Sequence, residues 1–118
     1  MIDRHECNGR LARVVEYNGV LYLSGRTCGA ADGIRAQTEG VLRAIEETLN
    51  TYGSDKRHIL KAQIFLKDIA RDFQPMNEVW EKWVEPGCEP ARAAVQAAMS
   101  REQTLVEIVV TAAKTSVN

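Results

Sequence analysis

Apolar residues change their spacing along this chain, and each change predicts a new element. Between Arg13 and Leu23 they fall as Val14, Val15 and Tyr17, then Val20-Leu21-Tyr22-Leu23, on either side of Asn18-Gly19. Both turn residues tolerate positive φ, so the segment predicts two short strands joined by a tight hairpin. Ser24-Gly25 ends the second strand, and a loop follows through Gly29 and Asp32-Gly33. From Ile34 the period lengthens. Ile34, Thr38, Val41, Leu42, Ile45, Leu49 and Tyr52 recur at steps of three and four, forming one stripe of a helix. Asp32 or Gly33 begins it and Gly53 supplies a left-handed stop. Gly40 inside it costs about 1 kcal/mol relative to alanine, which predicts a close approach to the sheet.

From Ile59 to Ile69 the pattern alternates. Leu60, Ala62, Ile64 and Leu66 share one face, and Lys61, Gln63, Phe65 and Lys67 the other, as in a half-buried strand. Asp72 is placed to cap a second helix carrying Phe73, Met76, Val79, Trp80, Trp83 and Val84, with Pro75 in its first turn. Pro86-Gly87 ends that helix, and two last strands follow, roughly Arg92 to Met99 and Thr104 to Ala112. The predicted order is ββ-α-β-α-ββ, an α+β sandwich with two helices on one face of a sheet. His5 falls in a stretch that reads as a loose terminus. The last strand is apolar on both faces, with Leu105 and Val109 on one and Val106, Ile108 and Val110 on the other. Helices on one side only leave the second face to be buried against another copy of the chain, so a homo-oligomer is predicted.

Composition narrows the class. At 118 residues, 45% of them apolar and with a formal net charge of -1, residues 1–118 make one domain with one core. No apolar run reaches the ~18 residues a membrane span needs, and Met1-Ile2-Asp3-Arg4-His5-Glu6 has no apolar core of signal-peptide type. Cys7, Cys28 and Cys88 cannot all pair and show no CxxC spacing, so reduced thiols and a cytoplasmic location are expected. The charge balance shows no basic stripe, which argues against a nucleic-acid partner.

Chemistry concentrates in the last quarter. Arg92 opens the small-residue run Ala93-Ala94-Val95-Gln96-Ala97-Ala98, and Glu107 interrupts Leu105-Val106-Glu107-Ile108-Val109-Val110. A charge drawn from water costs several kcal/mol or more unless something meets it, and that something can be a ligand. Each residue also has a plainer role. Arg92 can neutralise Glu89 or cap a strand end, and Glu107 can pair with Lys61 or Arg92. Asn77 can serve its helix, and Trp80 and Trp83 at helical spacing read as core. Cys28 lacks a placed histidine, and neither His5 nor His58 belongs to a triad or a metal set.

The ordered residues resemble the Rid superfamily (RidA/YjgF, reactive intermediate deaminases). The matching elements are Leu23-Ser24-Gly25, Gln37-Thr38, Leu66-Lys67-Asp68-Ile69, Phe73, Met76-Asn77, Trp80, Pro90-Ala91-Arg92-Ala93-Ala94-Val95 and Val106-Glu107-Ile108. Together they run almost end to end. The resemblance implies a chorismate-mutase-like fold assembled as a homotrimer around a central barrel, with ligand sites between subunits. It implies hydrolysis of enamines and imines, releasing ammonia and a 2-keto acid without metal or organic cofactor. Arg92 would bind the substrate carboxylate through its planar fork. Glu107, desolvated in an apolar strand, would move protons and place water. Ser24, Gly25 and Ala94 would complete the pocket, with Asn77 lining it. If the last two strands form a simple hairpin, Glu107 sits opposite Ala97 and ~17 Å along from Arg92, too far for one chain to join them on a small ligand.

The chain departs from the family pattern at three places. Leu11 stands where a Gly-Pro-Tyr motif usually supplies a tyrosine, Arg26 replaces the glutamine after Ser24-Gly25, and Ala94 stands where the best-studied subgroup has cysteine. A divergent subgroup is implied. Arg26, if it points inward, would favour substrates with a second negative group. A non-catalytic trimer that holds small carboxylates or a partner protein is the competing reading. Glu107 weighs toward catalysis, because a pure binder does not need it.

Overall fold

A computed structural model describes residues 1–115 as one mixed sheet with two long helices on a single face. Strands β1 (Asp3–Cys7), β2 (Ala12–Tyr17) and β3 (Val20–Leu23) precede helix α1 (Gly33–Thr51). A short 3₁₀ turn (Lys56–His58) leads into β4 (Ile59–Leu66), followed by α2 (Ile69–Trp83), β5 (Ala91–Gln96) and β6 (Val106–Ala113). The sheet order is β1-β2-β3-β6-β4-β5. Among the described strands only β4 and β5 run parallel, joined over the sheet by α2.

The hairpin forms where Asn18-Gly19 predicts it. Both residues take positive φ, 52° and 76°, and Tyr17 pairs with Val20. α1 buries Gln37, Thr38, Val41, Leu42, Ile45 and Leu49, the predicted stripe with one polar addition. Its end is a left-handed Gly53 (φ 83°), after which Ser54 N–H donates to Leu49 O at 2.8 Å. That bond spans the closing turn and satisfies a carbonyl the helix leaves open.

Several expectations change. The N-terminus is not loose: β1 pairs with β2, and the His5 ring packs on Tyr52 at 4.6 Å. Lys114 Nζ donates to Glu16 at 2.6 Å while His5 Nε2 lies 3.3 Å from the same carboxylate. The order is therefore β-ββ-α-β-α-ββ. α2 starts a turn early, because Asp68, not Asp72, caps it by accepting from Arg71 N–H at 3.2 Å. Pro75 thus lies inside the helix, and Asp72 is buried with Arg71 bonded to both of its oxygens at 2.9 Å. Leu60 is exposed, since an irregularity between Ile59 and Lys61 breaks the alternation. Gly40 faces a loop rather than the sheet: a Cβ there would lie 2.5 Å from Cys28 Sγ.

The last two strands do not form a hairpin. β4 lies between them, pairing parallel with β5 and antiparallel with β6. Val106, Ile108, Val110 and Ala112 of β6 and Ala62, Ile64 and Leu66 of β4 are buried beneath the helices. The intervening residues face the other way, among them Phe65, Glu107 and Val109. Tyr17, Tyr22 and Val95 on that open face are 44%, 47% and 44% exposed. The molecule is a slab of 43 × 37 × 20 Å, thin because only one side of the sheet is covered.

Candidate active site

Arg92 lies on the edge strand β5, paired through the backbone with Ala62 and so turned toward the helix-covered face. α2 crosses there, and Asn77 and Trp80, one turn apart, point the same way. Arg92 Nη1 donates to Asn77 Oδ1 at 2.6 Å, and its guanidinium carbon lies 5.4 Å from the centre of the Trp80 ring. Among the described residues no carboxylate pairs with Arg92; Glu89 does not neutralise it. The rest of its five-donor fork is left for another partner. Ala94, two residues on, shares this face and packs against the core.

Glu107 faces the opposite way. Its row across the sheet runs Val95–Phe65–Glu107, on the side no helix covers. Neither Lys61 nor Arg92 meets it, and among the described residues its carboxylate has no hydrogen-bond partner. It lies flat against Gly25, where any Cβ would overlap the carboxylate. The glycine is therefore a steric requirement of the glutamate. Ser24 supports this corner rather than offering its hydroxyl, because Oγ donates to Ala12 O at 2.7 Å and its N–H to Arg13 O at 3.0 Å.

Arg26 belongs elsewhere. Its backbone exchanges hydrogen bonds with Ile108 at 2.9 and 3.1 Å, which turns its side chain to the covered face. There it lines a small cavity with Leu23, Ile45 and Thr48. The sheet separates it from Glu107. Leu11 is 47% exposed just ahead of β2.

The expected site residues thus fall into two groups, Arg92, Asn77 and Ala94 beside Trp80 on the helix-covered face and Gly25 with Glu107 on the open face. Ser24 borders the small cavity that Arg26 lines. Arg92 is level with Val110 while Glu107 is level with Val95. Two strand spacings and three residues separate them by ~14 Å, through the sheet. The hairpin expectation gave a different path to the same conclusion: one chain cannot close both ends on a small ligand. The grooves of the isolated chain agree, since the one between α1 and α2 (about 500 Å³) and the one beside Gly29–Gly33 (about 620 Å³) include neither residue. Among the described residues no three His, Cys, Asp or Glu side chains gather to hold a metal, and no helix is long and apolar enough to cross a membrane. Sequence reasoning placed Trp80 in the core and missed its contact with Arg92; its spacing of three from Asn77 was the available signal.

Comparison with known proteins places this geometry in context. A family model described as "Endoribonuclease L-PSP" matches residues 1–114. A RutC family protein of Haemophilus ducreyi is 38% identical over 115 residues, covering 96% of this chain and 97% of its own length. The chloroplastic Reactive Intermediate Deaminase A of Arabidopsis thaliana is 31% identical over 108 residues, covering 85% of this chain and 56% of that protein. The crystal structure of a YjgF family member from Neisseria meningitidis superposes with a TM-score of 0.94 at 39% identity, covering 98% of this chain and 97% of the other.

Proposed function

This chain belongs to the endoribonuclease L-PSP family, the Rid/YjgF superfamily, and on that footing we propose that it hydrolyses 2-imino acids and their enamine tautomers to 2-keto acids and ammonia. The sites lie between the subunits of a homotrimer. There the Arg92 half-site of one copy meets the Glu107 half-site of the next. The observation that carries this reading is the pair of charged groups, each without an ionic partner among the described residues, on opposite sides of one sheet.

The chemistry asks little of the protein. Arg92 holds the substrate carboxylate through two charge-assisted hydrogen bonds. Asn77 fixes the guanidinium, while Ala94 and the Ser24-Gly25 backbone shape the walls. Water attacks C2 of the protonated imine as Glu107 accepts a proton from it, giving a carbinolamine. Glu107 returns that proton to the nitrogen. It then takes the hydroxyl proton as the C–N bond breaks and the carbonyl forms, and the departing ammonia leaves with that proton as ammonium. No step requires a metal or organic cofactor.

One observation favours a second reading, a trimer that holds small carboxylates without turnover. Leu11 supplies no hydroxyl and that of Ser24 is already committed to Ala12, so Glu107 acts without a hydroxyl partner. Nuclease activity, which the family description names, would need a surface that collects phosphates, and a net charge of -1 does not favour it.

The test generates 2-iminopropionate in situ and follows its decay. The native protein is expected to accelerate it. Arg92→Ala should lower kcat/KM at least ~100-fold by losing two bonds to a charged group. Glu107→Gln should lower kcat by ~10²–10⁴, the usual range for general acid–base help. Stabilisation of the fold by a keto acid, without acceleration, would establish the binder instead.

A further inference from the structure

We infer that Trp80 is a positioning residue for the carboxylate anchor, holding the Arg92 guanidinium in one plane so that the edge left free by Asn77 is presented already ordered to a planar 2-imino or 2-oxo carboxylate. The ligand named here rests on the function proposed above; the placement of Arg92 does not.

The placement is built in layers. The Arg92 guanidinium carbon stands 5.4 Å from the Trp80 centroid, within the ~6 Å reach of a cation over an indole face. Trp80 is only 5% exposed and meets Trp83 at 5.7 Å between centroids, tilted by 48°. Trp83 is fixed in turn: its Nε1–H donates to Glu46 at 3.0 Å, and Lys56 Nζ lies 5.5 Å from its ring centre while donating to Trp83 O at 2.8 Å. Cation, indole, indole and cation thus adjoin in a row from β5 across α2 to the turn before β4. Trp80, 5% exposed, is the buried member of the pair, while Trp83 is held by its bond to Glu46.

An arginine on an exposed edge strand ordinarily samples many rotamers and loses them on binding. Here Asn77 holds one donor and Trp80 one face before any ligand arrives, so less ordering remains to be done at binding. A core tryptophan that merely fills space would be replaceable by an aliphatic side chain of suitable bulk. One that acts through its π face is replaceable by phenylalanine and not by leucine.

Trp80→Phe and Trp80→Leu test this in the full-length protein. In the unliganded wild type, the Arg92 Nε–H resonance, assigned by its loss in Arg92→Lys, is expected upfield from the ring current of the indole. Trp80→Phe should keep part of that shift and Trp80→Leu should lose it. Trp80→Leu should raise both the Kd for pyruvate and the KM for 2-iminopropionate about tenfold, within the range of a desolvated cation–π contact. Trp80→Phe should stay within about threefold, with kcat changing less than KM in both. In an Arg92→Ala background, where no cation is left over the ring, Trp80→Leu should add nothing further. Leu49→Val, a core change near the end of α1, should lower stability and leave the Kd alone. An unshifted wild-type resonance overturns the inference, as does a Trp80→Phe variant as impaired as Trp80→Leu. A shifted resonance in a protein with no affinity for pyruvate instead overturns the ligand, and the proposed function with it, while the placement of Arg92 stands.

Discussion

Gly25 is where a missing side chain does most for the site. The Glu107 carboxylate occupies the space a Cβ would take, so Gly25→Ala must displace either the glutamate or the strand. Overpacking of this kind costs ~1–3 kcal/mol, and urea unfolding should report it. Imine decay should slow at least tenfold, because a small misplacement of a reacting group is expensive. In a Glu107→Ala background the same glycine change should cost little stability. Glu16 carries a different residue-scale consequence. Its carboxyl is held below the usual range by the hydrogen bond from Lys114, with His5 adding to it against opposition from partial burial. A depressed native value adds stability at neutral pH, present in full above about pH 4.3 and lost as pH falls through the native value. Glu16→Gln should therefore lower the melting temperature at pH 7, and the difference should shrink toward zero in strong acid.

At the scale of elements, Gly40 opposes propensity to packing. In an open helix, alanine at this position would gain about 1 kcal/mol. Here its Cβ would press on Cys28 Sγ at 2.5 Å, so Gly40→Ala is expected to destabilise the fold, and Cys28→Ala should recover most of the loss in the double variant. Thermal unfolding of the three proteins decides it. The elements legible in the sequence were those whose burial is one-sided. Asn18-Gly19, the α1 stripe and the alternation of β4 each left a periodic trace. β1 left none, because Asp-Arg-His-Glu-Cys on an edge strand buries almost nothing and is held by Tyr52 and Glu16 from elsewhere. Asp68 and Asp72 offered rival caps to the same helix, and only the tertiary pairing of Arg71 with Asp72 decides between them.

For the whole molecule, the open face is the surface on which assembly is expected. Val95, Phe65 and Val109 beside Tyr17 and Tyr22 make an apolar surface on a sheet that has helices on one side only. Sedimentation is expected to give a trimer. Val109→Lys should yield a folded monomer that has lost imine hydrolysis, since it would part the two half-sites. The distance expected between Arg92 and Glu107 rested on a hairpin that does not form, and the path that does separate them was not readable from the sequence. Strand parity is local, whereas the row linking Val95, Phe65 and Glu107 depends on β4 entering between β5 and β6, a long-range choice that no periodicity records. Asn77 and Arg92, fifteen residues apart on different elements, meet for the same reason.

That arrangement has a temporal corollary. β6 is the last of the six strands to be synthesised, yet it sits between β3 and β4. Until it arrives, the nascent protein can form only the three-stranded β1-β2-β3 leaf and the β4-α2-β5 unit, each with an unzipped edge that invites mispairing. A chain stopped short of Val106 should remain protease-sensitive and prone to aggregate, and folding to the native slab should wait for the ribosome to release its final strand.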